Sequence, residues 1–132
     1  MIVLFAVDLS AIKSMPNLEH RSDMALDYAY TALDNAQDDY AVGDLAKWRG
    51  EIGDVRDAVK LSFESLEEAG KNAHNDRHYK RAEMKTRELV RRLDSARDDV
   101  SFEDRAVLDQ VRAKVSEIHD ELLQRIMSRT KK

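Results

Sequence analysis

Apolar residues recur at alternating intervals of three and four positions along four stretches of the chain, with charged residues between them. This spacing places the apolar side chains on one face of an α-helix. We therefore predict four helices, with approximate bounds 18–41, 45–69, 76–99 and 101–127. Because short loops join them, the helices should pack in sequence order as an all-α, up-down-up-down antiparallel four-helix bundle. A helical hairpin that completes its core by dimerising is the alternative architecture.

Polar and glycine residues mark the ends of these helices. Asn17 is a good N-cap for the first helix, and Asp44 can cap the second after Gly43 ends the first. Residues 70–76 are rich in Gly, Asn, His and Asp, which predicts a loop. The segment Ser101–Asp104 has the form of a capping box at the start of the fourth helix.

Two features inside the helices carry further predictions. Alanine repeats along one face of the first helix, which predicts a close approach to a neighbouring helix. The second helix has a heptad-like apolar seam that only Ser62 interrupts. Gly50 and Gly53 lie off that seam, and each costs a helix interior about 1 kcal/mol relative to Ala. We therefore expect a kink or local break near residues 50–54.

The first sixteen residues form a separate segment. Met1–Val7 is apolar throughout, but it is far shorter than the ~20 residues that a membrane-spanning helix needs. It lacks the basic region of a signal peptide, and Asp8 interrupts it. We assign residues 1–16 to an apolar arm that packs on the bundle or on a second copy, and residues 17–132 to a single bundle domain. We expect a cytoplasmic location, with export as the alternative if the apolar stretch is a signal remnant.

Composition and missing motifs exclude several classes of protein. The 132 residues correspond to one domain, and 42% hydrophobic with 36% charged residues is typical of a globular protein. The absence of cysteine excludes a disulfide scaffold, an iron–sulfur protein, a thiol enzyme and cysteine-ligated zinc. The sequence contains no phosphate-binding glycine loop and no Gly-x-Ser-x-Gly, His-Glu-x-x-His or Glu-x-x-His motif. We therefore expect a non-catalytic protein without a cofactor.

Histidines supply the candidate metal ligands. His74 and His78 lie four positions apart, a spacing that places two imidazoles on one face of a helix. A third ligand would have to come from Asp76, or from His119 and Glu121 of the fourth helix. The alternative is that His74 and His78 are solvated residues at a helix start and that His119 is a boundary residue with a carboxylate partner. We favour this alternative and assign no metal site.

Charge is distributed unevenly along the chain, whose net charge is −4. Residues 17–70 have a net charge of −8, whereas residues 71–97 have a net charge of +5. The third helix carries most of the basic residues of the second region on two flanks. One flank consists of Arg77, Lys80, Arg87 and Arg91, and the other consists of Arg81, Lys85 and Arg92.

The basic third helix is the strongest functional indication in the sequence. Arginine side chains bind carboxylate or phosphate groups through paired hydrogen bonds. We hypothesise a helical-bundle interaction protein that binds an acidic protein surface, or a second copy of itself, through these residues. The alternatives are a polyanion or nucleic-acid binder, for which only Tyr79 offers a nearby aromatic ring, and a metal-binding or enzymatic bundle. The remaining alternative is that the basic helix has a structural role only. Acidic residues of the first two helices would then neutralise its charge within the bundle.

Overall fold

The computed structural model describes residues 8–128 of the chain. Its helices are α1 (Leu9–Lys13), α2 (Leu18–Ala41), α3 (Leu45–Ala69), α4 (Arg77–Ala96) and α5 (Arg105–Met127). Two 3-10 turns, Arg97–Asp99 and Phe102–Asp104, connect α4 to α5. Since no strand occurs within residues 8–128, the predicted all-α class is confirmed.

The four long helices alternate in direction, as the up-down-up-down prediction requires. Arg21, near the start of α2, pairs with Glu68, near the end of α3, so these helices are antiparallel. Arg97 and Asp109 show the same relation for α4 and α5. α2 also packs beside α4, and α3 beside α5, and the helices of each of these pairs run in the same direction. The consecutive helices α3 and α4 therefore face each other across a diagonal, which corrects the expectation that all consecutive helices pack side by side. The bundle is two antiparallel hairpins placed next to each other.

The ends of α2 and α3 have the structure that their sequence predicts. The side chains of Asn17 and Asp44 each accept a hydrogen bond from the backbone N–H three residues further on. Gly43 has a φ angle of 85° and Gly70 has one of 70°, the left-handed conformation that ends a helix without steric cost in glycine. Residues 70–76 form the expected loop between α3 and α4.

The connection between α4 and α5 does not form the capping box that its sequence suggests. The Ser101 hydroxyl caps no backbone N–H group and instead donates to the carboxylate of Asp104, at 3.0 Å. Asp104 is buried, and its carboxylate also accepts a hydrogen bond from the hydroxyl of Tyr40. The Tyr40 oxygen in turn accepts one from the backbone N–H of Ser101. These bonds fasten the end of α2 to the start of α5.

α3 is one continuous helix through residues 50–54, so the break predicted there is wrong. Trp48, Ile52 and Val55 are all buried on its inner face. Burying an apolar side chain of this size contributes about 1.5–3 kcal/mol, which exceeds the cost of about 1 kcal/mol for each glycine. Burial of these apolar side chains therefore keeps α3 helical at Gly50 and Gly53.

α1 belongs to the N-terminal arm and packs on the α2–α3 hairpin. Ile12 is 1% exposed and forms a small apolar cluster with Ala25 of α2 and Leu61 of α3. The Arg21 side chain of α2 donates hydrogen bonds to the backbone carbonyl groups of Lys13 and Met15. The prediction of an apolar arm depends mainly on the run Met1–Val7. This run lies outside the described residues.

The interface between α2 and α3 is the most extensive of any helix pair. The alanines of α2 are buried, in agreement with the close approach that their spacing predicts; they are Ala25, Ala29, Ala32 and Ala36. Ser22 and Ser62 are buried as well, and their hydroxyl oxygens lie 2.7 Å apart in a mutual hydrogen bond. Ser62, the polar residue of the α3 seam, therefore has a partner inside the core.

Branched apolar side chains fill the centre of the bundle, and polar side chains cover its outside. The fully buried leucines come from all four long helices: Leu26, Leu33, Leu66, Leu89, Leu93, Leu108 and Leu122. No helix within residues 8–128 combines the length and the apolar character that crossing a membrane would require.

Candidate functional site

The structure separates the two basic flanks of α4. The flank that contains Arg81, Lys85 and Arg92 turns toward α2, whose acidic side chains face it. The Nε atom of Arg81 lies 3.4 Å from a carboxylate oxygen of Asp23, and Arg92 donates to the carboxylate of Asp34 at 2.6 Å. We call this contact the α2–α4 seam. It neutralises one flank of α4 within the molecule.

Tyr30 of α2 occupies the middle of the α2–α4 seam. The ammonium group of Lys85 lies 4.8 Å from the centre of its ring, and the guanidinium carbon of Arg92 lies 5.8 Å from it. The Tyr30 hydroxyl donates to the carboxylate of Glu88 at 2.8 Å. Burial, together with this hydrogen bond, raises the pKa of Tyr30 well above its ordinary value. The tyrosine is thus a neutral donor that helps to hold α4 against α2.

The other flank of α4 faces solvent. We call it the outward row, and all its members are exposed: Arg77, Lys80, Met84, Arg87 and Arg91. The side chains of Arg77, Lys80 and Arg91 form no hydrogen bond or ion pair with any residue that the structure describes. Met84 is 51% exposed at the middle of the row. At 1.5 Å per residue, the row is about 21 Å long.

Arg87 is the one cation of the outward row that has a partner within residues 8–128. It donates two hydrogen bonds to the carboxylate of Glu83, at 3.0 and 3.1 Å. Nε2 of His119, on α5, lies 2.8 Å from the same carboxylate. The hydrogen bond from Arg87 lowers the pKa of Glu83, and His119 acts in the same direction against the effect of partial burial. His119 is thus a boundary residue with a carboxylate partner.

The three histidines that the sequence offered as metal ligands lie in different surroundings. Nδ1 of His74 is 2.9 Å from the backbone carbonyl oxygen of Ile126. Nε2 of His119 contacts the carboxylate of Glu83. Because His74 lies in the loop before α4, its spacing from His78 no longer places the two on one helix face. Within residues 8–128, one group of side chains lies close enough together to hold a metal ion. Of the three candidate histidines, this group contains His78 alone.

His78 lies among acidic side chains from two helices. Its Nδ1 is 3.3 Å from a carboxylate oxygen of Asp23, and its Nε2 is 3.9 Å from Oε1 of Glu19. Potential ligand atoms of Glu19, Asp76 and His78 all lie within 4.8 Å of one another. We call these three residues the acidic–histidine cluster. The sequence pointed to Asp76 and His78, but it could not point to Glu19, which reaches them only because α2 packs beside α4.

The two carboxylate oxygens of Asp76 differ in their surroundings. Oδ1 accepts a hydrogen bond from the backbone N–H of His78 and thereby caps α4. Oδ2 is buried and has no hydrogen-bond partner among the residues that the structure describes. A buried carboxylate oxygen without a partner is costly, so this atom calls for an explanation.

A second acidic feature is a cavity of about 310 Å³ between α1, α2 and α3. Its lining includes Asp8, Glu51 and Asp54 beside apolar residues. Burial, followed by a hydrogen bond to Asp39 and the charge of that residue, raises the pKa of Glu51 to about 7. Burial also raises the pKa of Asp54.

Comparison with known proteins adds no information on function. No protein-family model, no curated protein and no solved structure matches the chain.

Proposed function

We propose that the chain is a non-catalytic helical-bundle interaction protein that binds an acidic surface of another protein through the outward row of α4. The observation that carries this proposal is the contrast between the two flanks of α4. Acidic residues of α2 neutralise one flank, whereas Arg77, Lys80 and Arg91 have no partner among residues 8–128. Cations that are not used inside the molecule are available to a ligand outside it.

The form of the outward row favours an elongated acidic partner. Its side chains follow one face of a single helix over about 21 Å, so a helix or an extended segment of the partner would fit along it. The guanidinium groups of Arg77 and Arg91 can each take a carboxylate through two hydrogen bonds. Met84, between them, offers a flexible apolar contact of the kind that adaptable binding surfaces use.

A protein partner is favoured over a nucleic acid because the row lacks accessible aromatic rings. Binding of single-stranded nucleic acid commonly uses aromatic side chains on which bases stack. Tyr79 is 3% exposed and belongs to the core, and the ring of Tyr30 lies under Lys85 and Arg92.

Charge reversal at two unpartnered cations tests the proposal. The variant carries Lys80→Glu and Arg91→Glu, and its matched control carries Lys13→Glu and Lys60→Glu. All four positions are exposed and make no ion pair within the described residues, so both variants have the same net charge and should keep the fold. Circular dichroism checks folding, and affinity capture from an extract of the source organism identifies bound proteins.

We expect wild type and the control variant to retain the same acidic protein and the row variant to lose it. Retention should be unchanged by nuclease treatment, and it should weaken as salt is added because screening shortens the reach of exposed charges. An identical set of captured proteins for all three chains would contradict the proposal. Capture that disappears with nuclease would instead support the nucleic-acid alternative, for which affinity falls steeply with salt.

A further inference from the structure

We infer that the acidic–histidine cluster, Glu19, Asp76 and His78, is a binding site for one divalent transition-metal ion of the zinc type. Its residues come from the first turn of α2, from the N-cap of α4 and from the first turn of α4. An imidazole nitrogen and two carboxylate oxygens form a ligand set that zinc accepts, with water at the remaining position. The nitrogen ligand favours zinc, cobalt or nickel over magnesium or calcium, which prefer oxygen ligands alone.

The orientation of His78 supports this assignment. Its Nδ1 lies 3.3 Å from a carboxylate oxygen of Asp23, which can accept a hydrogen bond from an N–H at that nitrogen. The neutral tautomer then has its lone pair on Nε2, the atom that faces Glu19. Metal-binding histidines in proteins characteristically donate their second ring N–H to a carboxylate in this way, which fixes the ring and makes the ligating nitrogen more basic.

The contacts within the cluster leave ligand atoms unused. The 3.9 Å between Nε2 of His78 and Oε1 of Glu19 is too long for a hydrogen bond. Lys71 lies 3.2 Å from the other oxygen of Glu19, so it does not occupy Oε1. Oδ2 of Asp76 is buried without a partner. A cation that binds one ligand atom of each residue would use this unfilled capacity.

The dimensions and charges of the cluster are compatible with an ion. Ligand atoms around a tetrahedral zinc ion lie about 3.4 Å apart, whereas the cluster atoms lie within 4.8 Å of one another. Rotation of the Glu19 side chain, which is partly exposed, can close this difference. The carboxylates of Glu19, Asp23 and Asp76 outnumber the neighbouring cations, Lys71 and Arg81. The site therefore retains a negative charge before the ion binds.

Binding of an ion here would join the two hairpins of the bundle. Glu19 belongs to the α2–α3 hairpin, and Asp76 and His78 belong to the α4–α5 hairpin. An ion that binds the folded chain but not the unfolded one stabilises the fold in proportion to the logarithm of its concentration. The thermal midpoint should therefore rise as zinc is added.

Metal titration of the untagged full chain tests the inference. Zn²⁺ binding is measured by calorimetry, and Co²⁺ binding by its visible absorption, which reports coordination geometry. We expect one ion per chain, tetrahedral Co²⁺ absorption, displacement of Co²⁺ by Zn²⁺, and no heat with Mg²⁺. Failure to bind Zn²⁺ or Co²⁺, or binding that all variants below retain, would overturn the inference.

Conservative variants identify the ligands without removing the helix caps. Glu19→Gln, Asp76→Asn and His78→Gln should each weaken Zn²⁺ binding by about tenfold or more, and Asn remains a good N-cap at position 76. Asp23→Asn should weaken it by about tenfold because it replaces the charged acceptor for Nδ1 with a neutral amide oxygen. Circular dichroism in the absence of metal shows whether each variant folds.

His20→Gln is the matched control for adventitious binding. His20 is exposed on the same turn of α2 as Glu19 and has no side-chain partner among the described residues. We expect this variant to bind Zn²⁺ as wild type does. If His20→Gln lost binding and His78→Gln kept it, zinc would be binding to surface histidine and the inference would fail. The outward row is tested by other residues, so the two proposals can fail independently.

Discussion

α2 contacts its two neighbours through different chemistry. Toward α3 it presents alanines and Ser22, all buried, over the most extensive interface of the molecule. Toward α4 it presents Asp23, Tyr30 and Asp34, whose partners are charged and partly exposed. A close apolar interface is sensitive to changes in volume, whereas exposed ion pairs contribute little free energy. The α2–α3 interface therefore supplies stability, and the α2–α4 seam determines which flank of α4 turns inward.

The largest effect is expected from adding volume to the α2–α3 interface. Ala25 is fully buried between Ile12 and Leu61, so Ala25→Leu should lower the free energy of unfolding by about 3 kcal/mol. Asp38→Leu adds a similar side chain at an exposed position of the same helix and should change it by less than about 0.5 kcal/mol. Chemical denaturation of both variants gives the comparison, and equal effects would show that the interface is loosely packed.

The serine pair allows a finer test of the same interface. Ser22→Ala or Ser62→Ala leaves one buried hydroxyl without its partner, which should cost about 1.5 kcal/mol. The double variant removes both hydroxyls, so it should be more stable than the sum of the single effects predicts. A double-mutant cycle from denaturation curves measures this coupling. Strictly additive effects would mean that the two hydroxyls do not depend on each other.

Breaking an ion pair of the α2–α4 seam should have a smaller effect. The Arg92 side chain is partly buried, whereas that of Asp34 is largely exposed. Asp34→Ala should therefore cost no more than about 1 kcal/mol, and the difference from wild type should shrink in high salt because salt screens exposed charges. Unfolding curves at low and high salt test this expectation. A loss of unfolding free energy as large as that of Ala25→Leu would show that the α2–α4 seam contributes as much stability as the α2–α3 interface, against this prediction.

The last effect concerns a charge on the α3 side of the comparison and depends on pH. Because Glu51 is partly exposed, solvent screening makes the effect much smaller than the pKa shift alone would give. Burial and Asp39 raise the pKa of Glu51 from 4.5 to about 7, so the folded chain holds this proton more tightly than the unfolded chain does. The resulting stabilisation is complete below pH 4.5 and is lost as the pH rises through about 7. Glu51→Gln should remove this dependence, so wild type should lose stability relative to the variant between acidic and mildly alkaline pH. Parallel thermal profiles of both chains would reveal it, and a constant difference would show that Glu51 does not titrate in this range.

The helices could be predicted because their ends depend on residues close in sequence. Asn17, Gly43 and Asp44 act through their own backbone neighbours, and the structure shows each in its predicted role. The break expected at Gly50 was wrong because helix propensity is a local quantity, whereas the burial of Trp48 is not. Where local preference and core packing disagree, the larger free energy decides the structure.

The neighbours of each charged face could not be predicted because they depend on the order of helices around the bundle. The sequence shows two basic flanks on α4, but either flank could have faced α2. Likewise Asp76 and His78 lie two positions apart in sequence, whereas Glu19 joins them only because α2 and α4 pack in parallel. The sequence pointed to the basic residues of α4 and, as weak metal-ligand candidates, to Asp76 and His78. Their partners follow from contacts between helices that are distant in sequence.

The diagonal relation between α3 and α4 has a consequence for folding. Within each hairpin the contacting residues are near in sequence, so each hairpin can form before the two meet. The parallel pairs α2–α4 and α3–α5 close the longest loops and should form last. Residues 70–76 are the covalent connection between the two hairpins, and an extended form of this loop would allow one hairpin to dock on the complementary hairpin of a second copy. The monomeric bundle and an exchanged dimer would then contain the same interfaces, and the protein concentration would decide between them.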